Sequence, residues 1–123
     1  MTNAVSWVEI PVDDFNRAKS FYGKIYDYEM PEMAMEVTKM GILPHDQEKG
    51  VGAAIVHGDN FRPTKDGVKV YLNGGDDLSQ VLDKVEAAGG KVVLGKTMIS
   101  PEMGYYAAFI ETEGNEIRLF SQS

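Results

Sequence analysis

Apolar and polar side chains alternate from Trp7 to Val12. Val8, Ile10 and Val12 fall on one side of an extended chain, Trp7, Glu9 and Pro11 on the other. The period then changes. Phe15, Ala18, Phe21, Tyr22 and Ile25 follow helical spacing, and Asp14 stands where its carboxylate can accept from the free amides of a first turn. Tyr28 to Val37 reads as extended and methionine-rich, with Pro31 confining its start to an edge or turn. Lys39 to Leu43 and Gly52 to His57 are two further predicted strands, joined by a polar loop over 44–50.

The second half repeats this order. After a polar connector from Gly58 to Gly67, Val68, Val70 and Leu72 alternate with Lys69 and Tyr71. Asp77 is placed to cap a helix with Leu78, Val81, Leu82, Val85 and Ala88 along one stripe, which Gly89 and Gly90 stop. Lys91 to Leu94, Tyr105 to Glu111 and Glu116 to Phe120 complete the strands, the last two joined by the turn Thr112-Glu113-Gly114-Asn115. The pattern I-P-V-D-D-F at Ile10 thus returns as L-N-G-G-D-D-L at Leu72, with Asp13, Asp14 and Phe15 falling on Asp76, Asp77 and Leu78. A repeat of half the chain is too long for a solenoid and implies two copies of one β-α-β-β-β unit.

Composition narrows the setting. A chain of 123 residues is long enough to bury a core without staples. It has no cysteine, which excludes disulfides, thiolate metal sites and a cysteine nucleophile. Nineteen acids against twelve bases give a formal charge of -7, which argues against a nucleic-acid surface. The first ten residues carry no basic region followed by an apolar run, and no stretch is long enough to span a membrane, so a cytoplasmic location is expected.

The segments E-I-P-V-D-D-F-N-R-A-K-S-F-Y-G-K, V-Y-L-N, V-E-A-A-G-G-K-V-V and E-T-E-G-N-E-I-R-L-F resemble the glyoxalase / bleomycin-resistance / extradiol-dioxygenase superfamily, the vicinal oxygen chelate proteins. The resemblance covers essentially the whole chain. It implies one α+β glyoxalase-like domain over 1–123, with modules over about 1–58 and 67–123. Two βαβββ modules would form a curled mixed sheet around a cavity, helices outside. A homodimer and a bacterial source go with it. No single reaction follows, because isomerases, dioxygenases and drug-sequestering proteins share this scaffold.

The resemblance also implies where a metal would sit, on His and Glu side chains from the first and last strands of each module. Those positions fall on Trp7, Lys69 and Arg118, and the repeat alignment puts the fourth on Ile55. None is a ligand for a divalent ion, so no metal is expected there. Strand parity instead directs Trp7, Glu9, Lys69, Tyr71, Arg118 and, if Glu111 pairs with Glu116, Phe109 to the cavity side. His57, at a strand end, is the imidazole expected nearby, whereas His45 is expected in solvent. An ion pair of Glu9 with Arg118 is expected, with Lys69 leaving the site net positive.

Two readings stand. One is a metal-independent protein binding a small organic ligand, anionic and aromatic, through these residues. The other is a glyoxalase-like lyase, isomerase or dioxygenase that uses Glu9 as general base, or a divalent ion on a non-standard set including Glu9 and His57. Bland roles compete with both: a neutralising ion pair, a snorkelling lysine, and aromatic packing.

Overall fold

The computed structural model describes residues 2–123 and divides into two compact units, Met1–Pro63 and Thr64–Ser123. In the first, the alternating segment forms β1 (Trp7–Pro11) and the apolar stripe forms α1 (Phe15–Tyr26). Asp14 caps α1, its carboxylate accepting from the Arg17 amide at 3.0 Å. Phe15, Ala18, Phe21, Tyr22 and Ile25 are all buried, as their spacing predicts. Three strands follow, β2 (Glu32–Ala34), β3 (Thr38–Ile42) and β4 (Gly52–Gly58). The sheet runs β1-β4-β3-β2, with β1 parallel to β4 and the other pairs antiparallel.

The second unit repeats this topology. Its elements are β5 (Tyr71–Asn73), α2 (Ser79–Leu82), β6 (Lys91–Ser100), β7 (Gly104–Ile110) and β8 (Glu116–Ser121). They form a sheet in the order β5-β8-β7-β6, again with the first and last strands parallel. The α+β reading and the repeated β-α-β-β-β unit are both present, as two four-stranded mixed sheets with one helix each. No described helix is long and apolar enough to cross a membrane.

Three details differ from the sequence expectation. Val68 is 96% exposed, so it does not pack on a helix; β5 starts only at Tyr71, and Leu72 carries the burial. Regular α-helix in the second unit is one turn, continued to Gly89 by mixed three- and four-residue hydrogen bonds, yet Leu78, Val81, Leu82 and Val85 remain buried. Asp77 accepts from the Ser79 amide at 2.9 Å, as a cap should, but the Leu78 amide is taken by Ser121 Oγ at 3.0 Å. Strand β6 runs past Leu94 to Ser100, its ladder to β7 broken by register shifts that hide the strand from a period-two reading.

The Tyr28 hydroxyl donates to the Ile42 carbonyl at 2.5 Å and ties the chain after α1 to β3. Burial pushes this phenol, and that of Tyr26, well above the ordinary tyrosine value. Since the folded values lie above the unfolded one of about 10, stability is fully present below that pH and is lost as pH rises toward them. Tyr28→Phe is therefore expected to cost about 1 kcal/mol at pH 7 and to lessen the alkaline loss. Urea denaturation at pH 7 and at about pH 11 measures both. An unchanged alkaline slope would exclude Tyr28 as a contributor.

Candidate functional site

Each sheet has a face covered by its helix-side core and an open face. In the first module Val8 and Ile10 of β1, with Val12 just past its end, turn inward, while Trp7 and Glu9 are exposed. The parallel ladder sets Trp7 beside Gly52, Glu9 beside Ala54 and Ile10 beside Ile55. Residues paired across a ladder share a face, so Gly52 and Ala54 lie on the side of Trp7 and Glu9, where both are buried. Ile55 belongs to the core and is fully buried. In the second module the same parallel pairing matches Tyr71 with Arg118 and Leu72 with Leu119. The counterpart of Arg118 in the first module is therefore Ala54. The expected assignment to Ile55 is off by one residue, because the last strands of the two modules are offset differently from the first strands.

The two histidines lie elsewhere than expected. His57 follows Ile55 on the core-side parity of β4, paired with Lys39, whose ammonium lies 4.7 Å from the centre of the Phe15 ring. Its Nδ1 is 3.2 Å from the Val12 carbonyl. It lines a cleft of ≈ 440 Å³ with Asp13, Asp59, Phe61 and Arg62, not the face that carries Glu9. His45, expected in solvent, is half-buried and meets Trp7 edge-on with ring centroids 6.3 Å apart. Its Nδ1 lies 3.0 Å from the Leu43 carbonyl. A side-chain carbon at Gly52 would come within 2.6 Å of His45 Nε2 and 2.7 Å of the Trp7 ring, so only glycine leaves room for both rings. That glycine opposite Trp7 was the available signal for His45.

The open face of the second module is built on β8. Ile117 and Leu119 are buried; Glu116, Arg118 and Phe120 point the other way and are half-buried. Ladder register places Ala108, not Phe109, beside Arg118, with Tyr106 one step along beside Phe120. The register expected from the sequence is corrected by one residue here. Glu111 leaves the ladder, because its carboxylate accepts from the Glu113 and Asn115 amides at 2.9 and 3.1 Å and folds into the turn. Phe109 consequently pairs with Ile117, is fully buried and stands on the core side.

Around Arg118 the contacts are specific. One terminal nitrogen donates to the Tyr71 hydroxyl at 3.0 Å; the other, with Nε, donates to Glu116 at 3.2 and 3.3 Å. The guanidinium carbon lies 5.7 Å from the Tyr71 ring centre and 5.9 Å from that of Tyr106, close enough for cation–π attraction. Lys69 Nζ reaches Glu116 at 3.5 Å. The hydrogen bond to Tyr71, then the one to Glu116, raises the arginine's pKa, so the guanidinium is a permanent cation. Two cations around one carboxylate leave a positive surplus, with the two tyrosines as walls. Arg118 takes its carboxylate partner from its own strand, and Glu9 accepts from the Trp7 indole at 3.4 Å.

A model of the Glyoxalase/Bleomycin resistance protein/Dioxygenase superfamily matches residues 4–119. The chain belongs to this superfamily. A glyoxylase-like domain-containing protein of Didymella fabae is 28% identical over 114 residues, covering 90% of this chain and 88% of that one. Among solved structures, a glyoxylase/bleomycin resistance protein/dioxygenase domain from Frankia sp. EAN1pec superposes with a TM-score of 0.68 at 17% identity, covering 98% of each chain. A genomically encoded fosfomycin resistance protein from Listeria monocytogenes gives 0.66 at 14%, covering 100% of this chain and 96% of that one. A glyoxalase I mutant from Zea mays gives 0.66 at 16% and 94% of this chain, which spans 45% of that longer protein. Identities this low carry the fold and not the reaction. The positions that the resemblance assigns to metal ligands hold Trp7, Lys69 and Arg118, and the ladder puts Ala54 rather than Ile55 at the fourth. None offers a carboxylate or imidazole, and among the described residues no three His, Asp or Glu side chains gather to hold an ion.

Proposed function

We propose that this protein binds a small, anionic, aromatic organic ligand without a resident metal. The observation carrying the reading is the Arg118 group, a guanidinium flanked by the Tyr71 and Tyr106 rings, with Lys69 beside it. Of the guanidinium's five N–H groups three are used within the protein. The rest, with the Tyr71 O–H and the Lys69 ammonium, suit a carboxylate or phosphate, while the tyrosine rings suit a planar body. Tryptophan, alanine, lysine and arginine do not fit a divalent ion.

The enzyme reading that joins Glu9 to His57 is disfavoured by parity, since the two lie on opposite faces of one sheet. Glu9 as a metal-free general base keeps only its exposed position and its weak indole bond in its favour. The proposal includes a homodimer, supported by the exposed apolar side chains of Met33, Met35 and Val37 along and just beyond the edge strand β2.

Protein purified without chelator is expected to carry metal far below one ion per chain, and to sediment as a dimer at micromolar concentration. Benzoate and phenyl phosphate are expected to raise its melting temperature more than benzamide does. Stoichiometric zinc, nickel, manganese or iron would overturn the metal-free reading. A shift by benzamide equal to that by benzoate would overturn the anionic one, and a monomer would overturn the dimer.

A further inference from the structure

The open face of the first module has the opposite chemistry. Trp7 is 41% exposed, so much of the chain's one indole is open to a ligand. The carbonyl of Leu43, 3.0 Å from His45 Nδ1, requires that nitrogen to carry the proton and donate. In the neutral imidazole Nε2 is then a lone-pair acceptor, and among the described residues it has no hydrogen-bond partner. Glu9 stands two residues from Trp7 on the same face, roughly 7 Å along the strand. It engages the indole through one oxygen at 3.4 Å, and the other oxygen has no partner among the described residues. Gly52 and Ala54 keep the floor between these groups low. With the indole N–H already given to Glu9, the polar groups left over on this face are acceptors: a carboxylate oxygen and an imidazole lone pair, beside an aromatic ring.

We propose that Trp7, Glu9 and His45 form an ammonium-recognition site on the first module, taking a primary or substituted amine whose charge lies against the indole. A cation is drawn to the ring face and to the carboxylate together, and its N–H groups supply the donors that Nε2 and Glu9 lack. A neutral hydroxyl would satisfy the lone pair but forgo both charge terms, and an anion would meet Glu9. The site stands independently of the Arg118 reading, because its residues come from the first module alone.

The test uses the intact chain and its single tryptophan. Benzylamine, benzyl alcohol and benzoate, matched in shape and different in charge, are titrated at pH 8 while Trp7 emission is followed. Benzylammonium is expected to change the emission saturably and to bind about tenfold more tightly than benzyl alcohol. Glu9→Gln should weaken it about tenfold. His45→Phe, which keeps a ring against Trp7 but removes the lone pair, should weaken it several-fold, whereas His45→Gln, which retains an acceptor, should recover part of that loss. Arg118→Ala should leave the benzylammonium response unchanged. Benzoate acting on Trp7 as strongly as benzylammonium would overturn the proposal. So would affinity unchanged in both Glu9→Gln and His45→Phe, which would reduce His45 to a packing partner. Loss of the benzoate melting shift in Arg118→Ala, with the benzylammonium response intact, would separate the two sites.

Discussion

Phe109→Ala is expected to destabilise the protein by about 3–5 kcal/mol, the usual cost of deleting a buried aromatic ring and leaving its cavity. The residue is fully buried and pairs across the ladder with Ile117, itself buried, on the core side of its sheet. For a chain of this size the change corresponds to a fall in melting temperature of more than about 10 °C. Tyr106→Ala, one ladder step from Arg118 on the open face, should cost far less stability and act on ligand affinity instead. Urea denaturation of both variants, beside benzoate titration, checks the pair. A Phe109→Ala protein of unaltered stability that no longer binds benzoate would restore Phe109 to the site.

Arg118→Ala should weaken binding of benzoate or phenyl phosphate by about 10- to 150-fold, the loss of hydrogen bonds to a charged group worth about 1.5–3 kcal/mol. Stability should change little, because the arginine and its Glu116 partner are both reached by solvent and exposed ion pairs are worth about 0–1 kcal/mol. Arg118→Lys keeps the charge but not the planar fork or its stacking between tyrosines, so affinity should fall between the two. Calorimetric titration measures all three. Wild-type affinity in Arg118→Ala would remove the anion site from this face.

How far the residues alone reach is clearest where period and geometry agree. On β1 and α1 they do: alternation and helical spacing name the buried set, and Asp14 caps where a carboxylate should. The repeat names the topology of both modules. What it cannot carry is register. Repeat alignment slides by a residue wherever one copy has a longer loop, which put Ile55 where Ala54 belongs. Hairpin register rests on how the turn is tied, and Glu111 folds into that turn through its side chain, a choice alternation does not reveal. Val68 shows the converse, since an alternating run looks the same whether or not a neighbour strand pairs with it. His45 left only a faint signal, the glycine opposite Trp7. It comes from a polar loop, and only a contact between non-adjacent segments, over a glycine, brings it to Trp7.

The closure of each sheet within its own half of the chain bears on how the protein is made. The longest-range ladders join Trp7 to Gly52 and Tyr71 to Arg118, and among the described residues no strand pairs with a strand of the other half. Parallel pairing is entropically demanding because a loop must close before any bond forms, and the demand grows with the length enclosed. Here that length never exceeds one module. As the chain leaves the ribosome, the first module has all the partners its ladder needs before the second has been synthesised, so its apolar strands need not wait exposed for distant sequence.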